Sequence, residues 1–290
     1  RSLSSAASDV YKRQTFKGQP KMHRSSTFIF SWMCFGFAFL YVPILILILF
    51  SFNNSAIMSV WGGFSLRWYE ELFNNEQIIE ASLLSLRIAA TSATFATILG
   101  TMAGLVISQV RNFRGRLLFS GLLGAPLVMP EVITGLSLLL FFVSLQELIG
   151  WPGSRGASTI TLAHITFSMA YVAVIIQSRL TDMDHSLAQA ALDLGAKPHQ
   201  VLIDITIPII APAMISGWLL SFTLSLDDLV IASFTSGAGA STLPMVIFSK
   251  IKLGVTPDVN ALATMIILIV GIGIFISGYI IHRQNSTRGA

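Results

Sequence analysis

Apolar positions in this 290-residue chain run in long blocks; they neither alternate nor recur along a single helical face. Six blocks reach the roughly 20 apolar helical residues needed to cross about 30 Å of hydrocarbon: residues 27–51, 88–107, 117–145, 158–178, 209–234 and 259–282. Each can satisfy its own backbone in lipid only as a helix, because the alternation of a membrane barrel is absent. The pattern predicts an all-α integral membrane protein with six transmembrane helices. Its membrane domain spans 27–286, after an N-terminal tail, 1–26. Within that tail "RSLSSAASDVYKRQ" has no apolar periodicity, so 1–14 is read as a leader foreign to the fold and Met22 as a start. The first block is too long for a signal-peptide core and lacks a small-residue cleavage site, so it is expected to stay as an anchor.

Interruptions of the pattern carry the finer structure. The third block contains "APLVMPE", with Pro126 and Pro130 four residues apart. Each removes a helix hydrogen bond, so a helix broken twice is expected, facing protein or a cavity instead of lipid. In "GTMAG" of the second block, Gly100 and Gly104 have the spacing that lets helices approach closely. The connection 60–77 offers Trp61, Trp68 and Tyr69 as rings for a membrane interface. Between the fourth and fifth blocks lies a polar stretch, 182–208. There Leu187, Ala190, Ala191 and Leu194 form one apolar helical stripe. Asp184 suits the start of this helix and Gly195 its left-handed end. Pro198 suits the first turn of a second helix with Val201, Leu202 and Ile205 on its apolar face, and Pro208 and Pro212 mark entry into the fifth span. A helix–turn–helix on the membrane surface is predicted.

Composition supports this class. The chain is 53% hydrophobic and 11% charged, against about 25% charged in ordinary soluble domains. The net charge of +4 is not gathered into a basic patch with interleaved aromatics, so no nucleic-acid partner is expected. It follows topology instead. With both ends inside, ten Lys and Arg fall on the inner side, within 17–24, 111–116, 179–197 and 283–288. Five fall outside: Arg67, Arg87, Arg155, Lys250 and Lys252. The bias predicts an N-in/C-in chain, with 182–208 on the cytoplasmic face. A lone cysteine, Cys34, excludes an internal disulfide or a cysteine metal cluster. No G-x-x-x-x-G-K-[ST], H-E-x-x-H or G-x-S-x-G occurs, so neither a phosphate cradle of the usual kind nor an intramembrane protease is predicted.

Three acids stand out. "LSLDDLVIASF" sets Asp227 and Asp228 in an apolar run, and Glu131 follows Pro130 in the third block. A charge at the centre of a membrane helix costs about 2.5–3.5 kcal/mol on insertion scales. Adjacent helical residues point about 100° apart, so the two aspartates are expected to differ in role. One would face a solute path, the other cap a helix break or bond a neighbouring span. Bonding to amides freed by a kink accounts for each acid equally well. A membrane-surface helix tends to carry Lys and Arg, yet this loop carries Asp182, Asp184, Asp193 and Asp204. That favours docking to a protein over resting on lipid. His164 is read as a hydrogen-bonding link between helices.

"QAALDLGAKPHQVLIDITIP" resembles the EAA loop of ABC-importer permeases, matching it at Ala190, Ala191, Gly195, Ile205 and Pro208. Ile207 replaces the usual leucine, and Gln189 stands where the family usually has glutamate, so any ion pair made by that acid is lost. From about Ser31 the chain is similar to the polyamine branch, closest in pattern to the second permease subunit of putrescine importers. The resemblance implies a multi-pass subunit of the bacterial inner membrane that imports polyamines, putrescine foremost, by alternating access. Its implied partners are an ABC ATPase dimer carrying ATP and magnesium, a second homologous permease, a periplasmic substrate-binding protein and the bilayer. No cofactor or metal is implied on this chain, and no enzyme activity of its own. Gln189 to Gly195, with Ile205 and Pro208, would couple to the ATPase, and Glu131, Asp227 and Asp228 would line the substrate path. The alternative is a proton- or sodium-coupled secondary transporter of organic cations. Six spans without a clear inverted repeat argue against it.

Overall fold

The computed structural model describes residues 27–57, 60–110, 112–254 and 256–288, with the backbone alone at 27, 185 and 273–288. Residues 1–26, including the expected leader and start, lie outside the described residues. The chain forms two compact units, one holding residues up to Leu66 and from Asn260 onward, the other Arg67–Val259.

In the first unit α1 (Thr27–Phe50) fills the first apolar block. A tight connection follows it. The Asn53 amide oxygen accepts from Gly62 N (2.7 Å) and Ser55 N (3.2 Å), while its nitrogen donates to Val60 O (2.7 Å). One buried side chain thus satisfies three backbone groups beside the single antiparallel bridge that Asn53 makes with Phe64. The Phe52 and Phe64 rings stack beside it, their centroids 5.3 Å apart. The last helix, α12, spans Pro257–Arg288.

The second unit begins with α2 (Arg67–Phe73), which buries Trp68 and Leu72 four residues apart on one face. Trp68 is therefore a packing residue, a correction to its expected place in an interfacial belt. Asn75 caps α3 (Glu76–Gln109), which starts about three turns before the apolar block does. Polar residues in those turns had hidden its start. The helices α4 (Arg116–Val128) and α5 (Glu131–Ile149) replace the third block. A second correction applies here: the block is broken once. Pro126 sits within α4, whereas Met129 is extended (ψ 137°), as the residue before a proline prefers.

Next come α6 (Ala157–Thr181), α7 (His185–Asp193) and α8 (Pro198–Val201). A π-helical segment, Leu202–Thr206, joins α8 to α9 (Ile207–Asp227). The second loop helix is thus the start of a continuous 30-residue rod, Pro198–Asp227, instead of a separate element. The π register, with Ile207 N donating to Leu202 O, lies just ahead of Pro208. It accommodates a residue that has no N–H for the ladder. The fifth block is also broken, at Asp228–Leu229, before α10 (Val230–Thr235). After it comes α11 (Leu243–Leu253), whose first amide donates to Ser85 Oγ of α3 (2.7 Å).

Among the described residues five helices are long and apolar enough to cross a membrane: Phe28–Phe50, Glu76–Gln109, Glu131–Ile149, Ala157–Thr181 and Pro198–Asp227. Lipid supplies no hydrophobic drive between helices, so close packing and hydrogen bonds must join them. α3 and α6 meet at Gly100 and Gly104. A Cβ on Gly100 would lie 2.7 Å from Met169 O and Val172 Cβ, and one on Gly104 would lie 2.9 Å from Ile176 Cγ2. α9 completes a three-helix core, with Ile210 buried against Val172, Ile176 and Leu180.

Candidate functional site

The acids singled out in the sequence sit at two helix breaks. Glu131 is the first residue of α5, directly after the Met129–Pro130 break, and its side chain is exposed. A carboxylate there faces the positive end of the helix dipole. One turn on, Gly135 lets α5 close on α10: a Cβ would stand 2.7 Å from the Phe234 ring and 3.4 Å from Ile231 Cα.

Asp227 and Asp228 separate at the second break. Asp227 ends α9 and is exposed. The last turn of a helix presents carbonyls without intrahelical donors and carries the negative end of its dipole. A carboxylate added there concentrates negative charge, an arrangement that suits a cation.

Asp228 is buried, and its carboxylate is occupied. Oδ2 accepts from Ala232 N (2.7 Å) and Oδ1 from Ile231 N (3.3 Å), the third and second residues of α10. The role resembles that of an N-cap side chain, which takes up amides lacking helical partners. Oδ2 also meets Nε2 of His164 at 3.1 Å. His164, fully buried on α6, bonds through Nδ1 to Ser225 Oγ of α9 (2.6 Å), and Ser92 Oγ of α3 donates to Ser225 Oγ (3.0 Å). Four elements share one polar cluster in an apolar core. The expectation for His164 matches this geometry, and Asp228 takes the capping and span-bonding role expected of one of the two aspartates. Ser92 and Ser225 had not been singled out. The signal was there in Ser221, Ser225 and Asp228, at i, i+4 and i+7, the spacing of one helical face.

The far end of α10 is also held. Thr159 Oγ1 donates to Thr235 O (2.7 Å) and Arg155 Nη1 to Phe234 O (3.4 Å). No cluster of three or more His, Cys, Asp or Glu able to hold a metal occurs among the described residues.

The loop residues form a second site. Asp184 caps α7 by accepting from Ser186 N (2.9 Å). Gly195 takes φ +91°, and Ala196 N donates to Ala191 O (3.0 Å), closing the helix end. Lys197 N donates to Gln200 Oε1 (2.8 Å) as α8 begins. Val201 is buried, with Leu202 and Ile205 half-buried. On α7 the predicted stripe points outward: Leu187 is 51% and Leu194 89% exposed, Gln189 and Ala190 are exposed and Ala191 is half-covered. Pro208 is exposed on α9.

Long apolar helices, acids at helix breaks and a surface helix with an uncovered apolar stripe together define a multi-pass membrane permease. Residues 96–287 match the family described as "Binding-protein-dependent transport system inner membrane component". The chain belongs to that family. It is 56% identical over 253 residues to the putrescine transport system permease protein PotI of Escherichia coli K12, covering 87% of this chain and 90% of that one. It is 43% identical over 250 residues to the spermidine/putrescine transport system permease protein PotC of Haemophilus influenzae, covering 86% and 94%. Its fold is like that of a chain in the crystal structure of a bacterial ABC transporter involved in the import of the acidic polysaccharide alginate. The TM-score is 0.69 at 15% identity, over 90% of this chain and 99% of that chain.

Proposed function

We propose that this chain is a permease subunit of an ATP-driven importer that moves polyamines, putrescine foremost, across the bacterial inner membrane by alternating access. The observation that carries the reading is the placement of Glu131 and Asp227, one exposed carboxylate at each of two breaks in membrane helices. A dicationic amine loses hydration on entering a membrane, and fixed carboxylates replace part of it. The identity to permeases named for putrescine and spermidine supports the same substrate class. Asp228, with its oxygens already bonded, is given a supporting part; Glu131 and Asp227 take the solute.

In this reading both termini and the loop 182–208 face the cytoplasm, with α4 and α5 together forming one of six spans. The uncovered stripe of α7 docks on a separate ABC ATPase dimer, which holds the ATP and magnesium. A second, related permease completes the path, and a periplasmic binding protein delivers the solute. ATP binding draws the two coupling loops together and opens the path outward; hydrolysis resets it. The test is uptake of labelled putrescine, with spermidine as competitor, by the reconstituted complex. Uptake that requires ATP and falls in Glu131→Gln and Asp227→Asn is expected. Uptake by the lone chain without nucleotide would sink the reading in favour of a secondary transporter.

A further inference from the structure

The two breaks are held by different means. Pro130 imposes the first by its own chemistry. Around the second, "SLDDLVIAS" contains neither proline nor glycine. Nothing in the local sequence forbids a helix running through Asp228 and Leu229, and the apolar residues that follow favour one. Tertiary bonds must hold this break open.

The contested group is the amide of Ile231. In a continuous helix it would donate to the carbonyl of Asp227, four residues back. In the structure it donates to Asp228 Oδ1. The next amide, Ala232, would close on the Asp228 carbonyl and donates instead to Asp228 Oδ2. The Asp228 side chain therefore competes with the ladder for two amides, and it wins only while held in place. His164 holds it. With the ring proton on Nε2, the carboxylate accepts it, Nδ1 accepts the Ser225 hydroxyl, and Ser225 accepts from Ser92. In that tautomer the Nε2 proton and the Ser225 hydroxyl each have one acceptor, while the Ser92 hydroxyl is shared with Ala89 O at 3.2 Å. Ser225 lies two residues before Asp227 and Asp228 one after it, so the imidazole fixes the chain on both sides of the exposed acid. Ser225, on α9, and Asp228, just past its end, are both buried, while Asp227 lies about 200° round from Ser225 and is exposed.

We infer that His164 is a positioning residue for solute passage: by anchoring Asp228 it keeps the fifth span broken, leaving Asp227 and the carbonyl end of α9 free to meet the cation. This rests on the reading of Asp227 as a solute-facing acid. Closing the break would return the Asp227 carbonyl to the helix ladder and swing α10 away from its docking on α5.

Two readouts test it in the full complex, reconstituted with its ATPase and binding protein. The first is the ratio of labelled putrescine moved to ATP hydrolysed. Bonds to charged groups are strong enough that losing the anchor shifts the break by about tenfold. His164→Leu is expected to lower that ratio about tenfold, and His164→Gln, which keeps a donor for Asp228, to recover most of it. A merely destabilised subunit would lose uptake and hydrolysis in parallel, and an unchanged ratio overturns the inference. The second readout needs no transport. Cys34 is the only cysteine of this chain, so Asp227→Cys in a Cys34→Ser background gives this subunit one site for a water-soluble maleimide, read on its own gel band. Adding His164→Leu should slow labelling about tenfold; equal rates overturn the inference. Should His164→Leu fail to assemble, Ser225→Ala removes one anchor at little cost in volume and should shift both readouts in the same direction. If the wild type moves no putrescine, the transport reading fails while the labelling comparison still decides the positioning role.

Discussion

Replacing each of the paired aspartates by leucine separates their roles by stability alone. In Asp228→Leu three buried donors lose their acceptor: His164 Nε2, Ile231 N and Ala232 N. Each orphaned donor costs about 1–3 kcal/mol, together about 3–9 kcal/mol while α10 stays docked on α5. Closing the break would return two amides to the ladder but give up that docking. Removing a carboxylate from a membrane helix returns about 2.5–3.5 kcal/mol. At the middle of the two ranges the net loss is about 3 kcal/mol. At about 2–4 °C per kcal/mol for a domain of this size, that is a fall of about 6–12 °C in Tm. Asp227 is exposed at the helix end, and Asp227→Leu is expected to shift stability by no more than about 0.5 kcal/mol. The assay is thermal unfolding of the detergent-solubilised complex followed by gel filtration, with membrane yield as a second measure. A drop for Asp227→Leu as large as that for Asp228→Leu would refute the assignment, as would an unchanged Tm for Asp228→Leu.

Other expectations follow from the same geometry. Gly100→Leu drives a side chain into Met169 O and Val172 and should cost about 1–3 kcal/mol or more by overpacking, read as lost membrane yield; normal yield would contradict the α3–α6 contact. Gly195→Ala places a Cβ at φ +91° and should cost about 1–2 kcal/mol of local strain, loosening association with the ATPase in co-purification. Ala191→Asp, which puts a charge on the half-covered face of α7, should abolish that association while leaving the subunit's own Tm unchanged. Glu131→Gln should leave yield intact and lower putrescine uptake; unchanged uptake kinetics in both this variant and Asp227→Asn would remove the electrostatic reading.

Features written into single residues were legible in the sequence. The cap at Asp184, the left-handed Gly195 and the start at Pro198 each follow from local chemistry, and the structure has them where expected. So does the Gly100–Gly104 contact, since a missing Cβ is a local fact with one strong consequence. What escaped was decided by partners distant in sequence. The break at Asp228–Leu229 depends on His164, 64 residues away, and no window of the chain contains both. Trp68 is buried because α2 folds onto its neighbours, which a reading of aromatics as membrane anchors does not anticipate. Pro126 and Pro130 look equivalent in the sequence, yet Pro126 is absorbed near the end of α4 while Met129 and Pro130 both become extended.

The rod from Pro198 to Asp227 bears on how such a subunit could be driven. Its 30 residues at 1.5 Å each span about 45 Å. It begins just after the turn at Gly195 and ends at the acid beside the second break. In the proposed mechanism a displacement of α7 therefore reaches Asp227 through one element instead of a relay of contacts. The rod is compliant near its start, where the π turn and Pro208 let it bend without parting. At its far end the ladder stops because the Asp228 side chain holds two amides that would otherwise extend it. A break held by side-chain bonds has a closed alternative in which two amides return to the ladder, whereas Pro130 has no amide to return. Movement delivered along the rod thus acts on the break that side-chain bonds hold, and Asp227, the acid proposed to meet the solute, stands beside it.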